Sequence, residues 1–256
     1  MGPVKGQPPR RYNSTQRREQ AQQNRQRALR AARQRFLAQG YAATTIAEIA
    51  RDAGVSVETV YKTFTTKAGV LKALFDVSVA GDDEPVPMAQ REVIQEVRNA
   101  PDAGRKIAIY AKHLASTMPR SAPVQLLARD GAASSPDAAS VWKQIREETL
   151  TAMKMFAADL VETGQLRVSA GVARDVLWTY HAPELYELLV LERGWSAARY
   201  GEFILFRPRM SARNAWLWAA PGVLILVGAL VAVRIVQQRA KLLPQDNEPL
   251  EEDSRS

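Results

Sequence analysis

Two capping signals and a glycine confine the stretch from about residue 45 to residue 64 to a pair of short helices. Thr45 and Glu48 have the spacing of a capping box, in which the hydroxyl and the carboxylate each pair with a backbone N–H at the helix start. Gly54 ends this helix after about two turns, because glycine adopts the left-handed conformation without a Cβ clash. The chain must therefore turn back sharply here.

A second short helix follows, with Ser56 as its N-terminal cap. Val60 and Phe64 are four residues apart, so both point from one helix face toward Ile46 and Ile49 of the preceding helix. Two short helices joined by a tight glycine turn are typical of a helix-turn-helix, the unit that places a helix in the DNA major groove.

Helical periodicity continues on both sides of this motif. Apolar residues at three- and four-residue spacing predict a first helix over 16–39 that ends at Gly40, and a linking helix over 67–79 that ends before a loop at 81–87. Further helices are predicted at about 89–99, 103–117, 121–132, 137–163 and 170–192, with breaks at Pro101, Pro119, Ser134 to Pro136 and Gly164. No alternating strand pattern occurs, so the fold class is all-α.

Positive charge is concentrated at the N-terminus. The chain has 35 Lys and Arg against 27 Asp and Glu, and in residues 1–35 ten basic residues face one acid, Glu19. Residues 1–15 contain three prolines and few apolar side chains, which predicts a disordered basic arm. The arm is either simply solvated or, as we favour, adds nonspecific affinity for DNA phosphates. No apolar run typical of a signal peptide opens the sequence, so we expect the N-terminal part to stay in the cytoplasm.

From about residue 16 to 200 the sequence resembles the TetR family of bacterial transcription regulators. The matching positions are Gly40-Tyr41, Thr44-Thr45, Ile49-Ala50, Ala53-Gly54-Val55-Ser56, Thr59, Tyr61, Phe64 and Lys67, and less specifically Pro183 to Leu189 and Glu192 to Ser196. The resemblance implies a three-helix DNA-binding head over 16–79 and a helical domain over 80–200 that binds an effector and dimerises through its last two helices. It also implies a homodimer on a pseudo-palindromic site in double-stranded DNA.

The candidate DNA-binding residues follow from the docking of a helix-turn-helix, whose second helix enters the major groove by its N-terminal end. They are Thr45, Ser56, Val57, Glu58, Thr59, Tyr61, Lys62 and Lys67. Glu58 can accept from a cytosine amino group, Thr59 can contact a phosphate or a thymine methyl, and Val57 offers apolar contact only. Tyr61, Lys62 and Lys67 are expected on phosphates, whereas Thr45 and Ser56 can equally be caps and nothing else. Many family members have a small residue where Glu58 stands.

The helical domain carries large polarizable side chains that are candidates for an effector pocket: Tyr110, His113, Trp142, Phe156 and Trp178. The alternative for each of them is an ordinary core position. No catalytic triad, phosphate-binding loop or pair of catalytic carboxylates is recognisable, which argues against an enzyme. With no cysteine and no convincing His and acid spacing we expect no metal site, and no cofactor is implied.

The C-terminus holds a run of about 20 uncharged residues, 214–233, long enough to cross a bilayer of roughly 30 Å. We expect a juxtamembrane segment and a single transmembrane helix within 201–243, with the helix at about 214–236, and an acidic disordered tail at 244–256. From about 198 to 256 the sequence resembles the membrane anchor of the cytochrome c maturation protein CcmH. The flanking basic residues slightly favour a cytoplasmic DNA-binding head on a single-pass inner-membrane protein, or a cytoplasmic protein if the tail does not insert.

Two alternatives to a membrane-tethered, effector-responsive repressor stay open at this point. The chain can be an accidental fusion with impaired function, because the terminal helix expected from Ser196 runs into the CcmH-like tail at about residue 201. It can also be a membrane-bound cytochrome c maturation component. The absence of the Cys-x-x-Cys pair on which that family's thiol chemistry depends argues against the second alternative.

Overall fold

A computed structural model describes residues 14–204, and every regular element in this range is a helix. The all-α prediction is thereby confirmed for this part of the chain. The predicted basic arm, apart from its last two residues, the predicted transmembrane helix at about 214–236 and the acidic tail lie outside the described residues. Between residues 14 and 204 no helix is both long enough and apolar enough to span a membrane.

Three helices form the predicted head: α1 (Ser14–Ala43), α2 (Ile46–Ala53) and α3 (Val57–Phe64). Gly40 interrupts α1 with φ 83°, at the position where the sequence predicts that the helix stops. Phe36, Ile49 and Val60, one from each helix, are fully buried against one another. Burial of each such side chain contributes about 1.5–3 kcal/mol, which holds together helices too short to be stable alone.

The helix α4 (Lys67–Ala80) connects the head to the body, since it packs on α1, α6 and α7. Val70 and Leu71 complete the core of the head from this side. After Gly81 the chain forms a loop, one 3₁₀ turn (Met88–Gln90) and the short helix α5 (Glu92–Asn99).

The body is built on two long helices, α6 (Ala103–Ala132) and α7 (Pro136–Glu162). They are followed by α8 (Ala170–Tyr180), α9 (Pro183–Tyr186) with a π-helical turn over Glu187–Glu192, and α10 (Ala197–Ile204). A second core lies between α6 and these later helices, and Tyr200 of α10 is completely buried in it.

The break predicted at Pro119 is wrong, because α6 continues through both Pro119 and Pro123. Leu114, Met118 and Ala122 form a continuous buried face across these prolines. A proline in a helix interior costs about 3 kcal/mol, and the packing of this face outweighs that cost.

The single helix predicted over 170–192 is also wrong. It is broken after Tyr180, where Ala182 is extended (φ −62°, ψ 130°) and Pro183 starts α9. A proline disfavours the helical conformation of the residue before it, so the signal for this break was present in the sequence. The break turns His181 toward the interior, where it lines a cavity described below.

Candidate nucleic-acid interface and effector cavity

The N-terminus of α2 has the predicted capping box. Thr45 Oγ1 accepts from the Glu48 N–H at 3.2 Å, and Glu48 Oε2 accepts from the Thr45 N–H at 2.9 Å. The hydrogen bonds from the Thr45 backbone and hydroxyl lower the pKa of Glu48. Thr45 is exposed, so the cap fixes the helix start at the protein surface.

The turn between α2 and α3 also follows the prediction. Gly54 has φ 64° and ψ 40°, and its N–H donates to the carbonyls at the end of α2. Ser56 Oγ accepts from the Thr59 N–H at 3.1 Å and lies 3.0 Å from Thr59 Oγ1. Ser56 therefore serves as a cap, and the Thr59 hydroxyl already has a partner within the protein.

The outer face of α3 presents three of the predicted contact residues to solvent: Glu58, Tyr61 and Lys62. Tyr61 is 50% exposed although it is aromatic. Hydrogen bonds from its own N–H and from Ser56 lower the pKa of Glu58, so its carboxylate stays ionised and can only accept. Val57 and Thr59 are half-buried, and Val57 packs against the core of the head. The surface thus offers one acceptor, one phenol and one cation.

Lys67 is held differently from Lys62. Its ammonium donates to the carbonyls of Tyr41 (2.9 Å) and Thr44 (3.0 Å), with a longer contact to Ala42 (3.5 Å), and lies 4.3 Å from the centre of the Tyr41 ring. Burial lowers its pKa. Its donors are used inside the protein, so Lys67 can reach a phosphate only by giving up one of these bonds, and that contact stays a prediction.

Several arginines of α1 that contribute to the basic N-terminal segment are also engaged within the fold. Arg25 pairs with Asp83 at 2.9 Å, Arg33 donates to the Arg120 carbonyl, and Arg35 forms two hydrogen bonds with Asp52. These bonds attach α1 to α2, to α6 and to the loop after α4. The number of arginines free for DNA is smaller than the charge of the segment implies.

The junction of α3 and α4 contains a constraint that the sequence analysis missed. Thr65 has a positive φ of 67°, and the Thr66 N–H donates back to the Phe64 carbonyl at 2.7 Å. A Cβ on Gly69 would lie 2.0 Å from the same carbonyl oxygen. Only glycine lets α4 approach so closely, and the available signal was a glycine in the first turn of a predicted helix.

A cavity of about 670 Å³ lies where the head meets the body, with walls from α1, α4, α5, α6, α7 and the loop after α4. Tyr110 and His113, both predicted for an effector pocket, line it. Trp142 and Trp178 line a separate cavity of about 150 Å³, which shares Thr149 and His181 with the larger one. Phe156 lines neither cavity and packs behind Tyr110, with ring centres 4.9 Å apart.

Both histidines of the chain thus lie on the larger cavity. His181 Nδ1 is 3.0 Å from Tyr110 Oη, which also donates to Met153 Sδ at 3.4 Å. Burial, with a smaller effect of His113, lowers the pKa of His181 to about 4, and burial raises the pKa of Tyr110. The pair is neutral at neutral pH.

The mouth of the larger cavity carries charged pairs. Arg91 binds Asp82 through two hydrogen bonds, of 2.7 and 2.9 Å, and Arg25 binds Asp83. Lys72 binds both Asp76 (2.6 Å) and Glu148 (3.1 Å), so two carboxylates share one ammonium. Within residues 14–204 no group of three or more potential ligands is arranged to hold a metal ion.

Comparison with solved structures identifies the fold. The chain aligns with a protein classed as a TetR-family transcriptional regulator from Syntrophomonas wolfei at 18% identity and a TM-score of 0.56, covering 71% of this chain and 91% of that one. It also aligns with the transcriptional regulator FadR from Bacillus subtilis, in complex with stearoyl-CoA, at 18% identity and a TM-score of 0.55. This alignment covers 70% of this chain and 95% of that one. A protein classed as a transcriptional regulator from Saccharomonospora viridis, in complex with choline, aligns at 18% identity and a TM-score of 0.52. This alignment covers 70% of this chain and 92% of that one.

The curated proteins whose sequences match this chain are of a different kind. Subunit NrfF of the formate-dependent nitrite reductase complex from Escherichia coli K12 is 39% identical over 46 residues, and the cytochrome c-type biogenesis protein CcmH from Pseudomonas aeruginosa is 40% identical over 47. Each match covers 18% of this chain, which spans about a third of the length of these relatives (36% and 30%). Residues 194–256 match the family described as cytochrome C biogenesis protein.

Residues 28–74 match the family described as bacterial regulatory proteins, tetR family. This range contains α2 and α3 with their caps and about half of α1 and of α4. Residues 28–74 are therefore similar to bacterial regulatory proteins of the tetR family, the described helices share the fold of the solved structures named above, and residues 194–256 are similar to cytochrome c biogenesis proteins.

Proposed function

We propose that the protein is a sequence-specific DNA-binding transcription regulator, most simply a repressor, that acts as a homodimer on a pseudo-palindromic site. The observation that carries this proposal is the outer face of α3, where Glu58, Tyr61 and Lys62 are exposed on a helix held by caps at its start. An ionised Glu58 can read a cytosine amino group, and Lys62 can pair with a phosphate.

The test is selection of bound sequences from a random duplex pool with the purified full-length chain, followed by titrations at several salt concentrations. Lys62→Ala should weaken binding to all duplexes alike and reduce the slope of log affinity against log salt by about one. Glu58→Gln should relax the preference at one base pair, by about 1–3 kcal/mol. Lys143→Ala, with a lysine side chain 77% exposed on α7, is the matched control. Failure to enrich any sequence would contradict the proposal.

Dimerisation is supported by apolar side chains that the single chain leaves in solvent near its C-terminal helices. Val172 and Val176 on α8 are 49% and 48% exposed, and Leu188 and Leu191 in the following turn are 50% and 54% exposed. Clustered exposed apolar residues mark interaction surfaces, and a second copy would bring two heads to the spacing of about 34 Å that successive major grooves require. Val176→Glu should give a monomer in light scattering, whereas Leu37→Glu, at a residue 44% exposed on α1, should not.

Response to a small molecule is supported by the position of the larger cavity, whose walls include α1 of the head, the linking helix α4 and body helices α6 and α7. A ligand here contacts α1 of the head, the linking helix α4 and two body helices at once. Two proteins with this fold carry ligands, choline in one and stearoyl-CoA in the other. A ligand that favours one arrangement shifts the population toward it and changes DNA affinity.

We further propose that the C-terminal segment tethers this regulator to the inner membrane, with the head in the cytoplasm. Support comes from the uncharged run at 214–233 and from the similarity of residues 194–256 to cytochrome c biogenesis proteins. Fractionation of cells that express the full-length chain tests this: we expect it in the membrane fraction, resistant to carbonate. Recovery in the soluble fraction would leave an untethered cytoplasmic regulator.

A further inference from the structure

The larger cavity has an acidic mouth and an uncharged interior, and this division identifies the chemistry of its ligand. We propose that the cavity binds an organic cation that has an apolar body. Its cationic head forms ion pairs with Asp76 and Glu148, in competition with Lys72. This inference rests on the proposed function as an effector-responsive regulator.

The charge balance at the mouth favours a cation over an anion. Asp82 and Asp83 each have a guanidinium of their own, from Arg91 and Arg25. Asp76 and Glu148 share the single ammonium of Lys72, so this group carries one negative charge in excess. Arg25, which is paired with Asp83, acts on Asp76 only without a direct contact. Partial burial of such a carboxylate is unfavourable, and it raises the pKa of Asp76 despite the nearby lysine. A bound cation would neutralise the excess charge.

Asp76 also has an oxygen available for a ligand. Lys72 Nζ donates to Oδ1, and within the described residues Asp76 Oδ2 accepts no hydrogen bond. Both oxygens of Glu148 are engaged, one by Lys72 and the other by Gln144 Nε2 at 2.9 Å. A cationic head can therefore bind Asp76 Oδ2 first and then compete with Lys72 for Glu148.

The interior suits an apolar body rather than a second charge. Its wall includes Phe75, Ile94 and Met153, together with the neutral Tyr110 and His181 pair. Aromatic rings and a thioether are favourable neighbours for the polarizable body of an organic cation. The volume of about 670 Å³ lies within the range of about 300–1,000 Å³ that small-molecule pockets usually have.

An unsatisfied donor at the far end supports a built ligand site. Gln125 is 2% exposed, its Nε2 has no hydrogen-bond partner, and it lines the smaller cavity that shares Thr149 and His181 with the larger one. A buried amide N–H without an acceptor costs about 1–3 kcal/mol, so such groups are rarely left unpaired. A ligand long enough to reach this cavity would gain from an acceptor oxygen at its apolar end.

Competition with Lys72 connects the ligand to the DNA-binding head. Lys72 lies on α4, and its bond to Glu148 attaches α4 to α7. A cation that takes Glu148 loosens this attachment, while Arg25 of α1 lines the same mouth. DNA and cation must then change each other's affinity by the same factor, because coupling between two binding sites is reciprocal.

Calorimetric titration of the full-length chain tests the charge preference with three probes that share one apolar body: 4-phenylbutyltrimethylammonium, 4-phenyl-1-butanol and 4-phenylbutyrate. If the chain is isolated with membrane, it is titrated in neutral lipid nanodiscs, with empty nanodiscs as the blank. We expect the ammonium probe to bind at least tenfold more tightly than the carboxylate. Equal or tighter binding of the carboxylate, or no binding of the ammonium probe, would overturn the proposal.

Three variants test the residues. Asp76→Asn and Glu148→Gln keep the side-chain shape and should each weaken binding of the ammonium probe about tenfold while leaving the alcohol unchanged. Lys72→Met removes the competing ammonium and should strengthen binding of the ammonium probe. A purely structural role of Lys72 would not produce this effect. Glu147→Gln, at an acid on α7 that is 66% exposed and outside the cavity, is the control and should change nothing.

The outcome is separable from that of the proposed function, because the cation is titrated without DNA. Cation binding by a chain that selects no DNA sequence would leave the cavity assignment standing and overturn the regulator. Selection of a DNA site by a chain that binds no cation would support the regulator and overturn the cavity assignment.

Discussion

The ammonium of Lys67 donates to the backbone carbonyls of Tyr41 and Thr44, at the end of α1 and the start of α2. The Tyr41 carbonyl also accepts from the Thr44 N–H, so removal of the ammonium would leave the Thr44 carbonyl as the unsatisfied group. We expect Lys67→Met to lower the free energy of unfolding by about 1–3 kcal/mol, the cost of one unsatisfied buried polar group. The salt dependence of DNA binding should stay close to that of the parent. Urea unfolding and DNA titrations measure the two quantities.

Lys62→Ala provides the opposite pattern for comparison, since Lys62 is exposed and should change the salt dependence without changing stability. If Lys67→Met leaves stability intact and reduces the salt slope by about one, Lys67 is a phosphate contact as the sequence suggests.

His181 should make stability depend on pH. Its pKa is about 4 in the folded protein, mainly because it is buried, against an ordinary value of about 6.5 in the unfolded chain. The unfolded chain therefore gains a proton as the pH falls below about 6.5, and the folded protein does not until about 4. Stability from the neutral imidazole is fully present above pH 6.5 and is lost between 6.5 and 4, up to about 3 kcal/mol.

Unfolding free energies between pH 7.5 and 4.5 check this dependence, in a range above the pKa of Asp82, which Arg91 holds at about 2. His181→Asn keeps a hydrogen-bonding group beside the Tyr110 hydroxyl and should remove the part of the slope that His181 causes, while His113, whose pKa is also lowered by burial, causes a slope of the same sign. The same slope in His181→Asn and in the parent would mean that other groups cause it.

At the scale of elements, the sequence predicts best where polar side chains pair with backbone a few residues away. The caps at Thr45 and Ser56 and the turn at Gly54 are such local signals, and all three occur as predicted. The extent of α6 depends instead on packing against distant helices, so Pro119 alone suggested a break that does not exist. The cavity combines residues from several helices, from the loop after α4 and from the turn after α8, and no local pattern could bring Asp76, Glu148 and His181 together.

The junction of α3 and α4 sets the angle at which α3 is presented, and it depends on Gly69. A methyl group there would lie 2.0 Å from the Phe64 carbonyl oxygen, so the backbone at Thr65 must move. We expect Gly69→Ala to lower the free energy of unfolding by at least about 2 kcal/mol, in the range of overpacking and backbone strain. Urea unfolding measures the change.

Gly171→Ala is the matched control for this substitution, because Gly171 also lies in the first turn of a helix and its Cβ would meet only the Ser169 hydroxyl at 3.8 Å. It should be neutral or slightly stabilising, as alanine favours helix by up to about 1 kcal/mol. Equal effects of the two substitutions would show that helix propensity, not the close approach, governs the junction.

At the scale of the whole chain, the boundary of sequence similarity and the boundary of the folded body differ. Similarity to cytochrome c biogenesis proteins begins at residue 194, whereas the described helices of the body continue to Ile204. Between them lies α10, whose Tyr200 and Ile204 are buried in the core of the body, where Gly201 lies so close to α6 that a Cβ would meet Ala115 at 2.7 Å. Residues 197–204, which belong to the C-terminal similarity, are therefore part of the helical body.

This overlap predicts different results for two truncations. A chain that ends at Phe206 should unfold cooperatively, bind the selected DNA site like the full-length chain and leave the membrane fraction. A chain that ends at Arg193 lacks Tyr200 and Ile204, whose buried side chains contribute about 1.5–3 kcal/mol each, and should unfold at a temperature about 6–24 °C lower or fail to fold. Thermal unfolding and DNA titration of both chains distinguish the cases. Equal stability would mean that α10 adds nothing to the body, as expected for an accidental fusion; a stable longer chain beside an unstable shorter one would mean that the two sequences have become one folding unit.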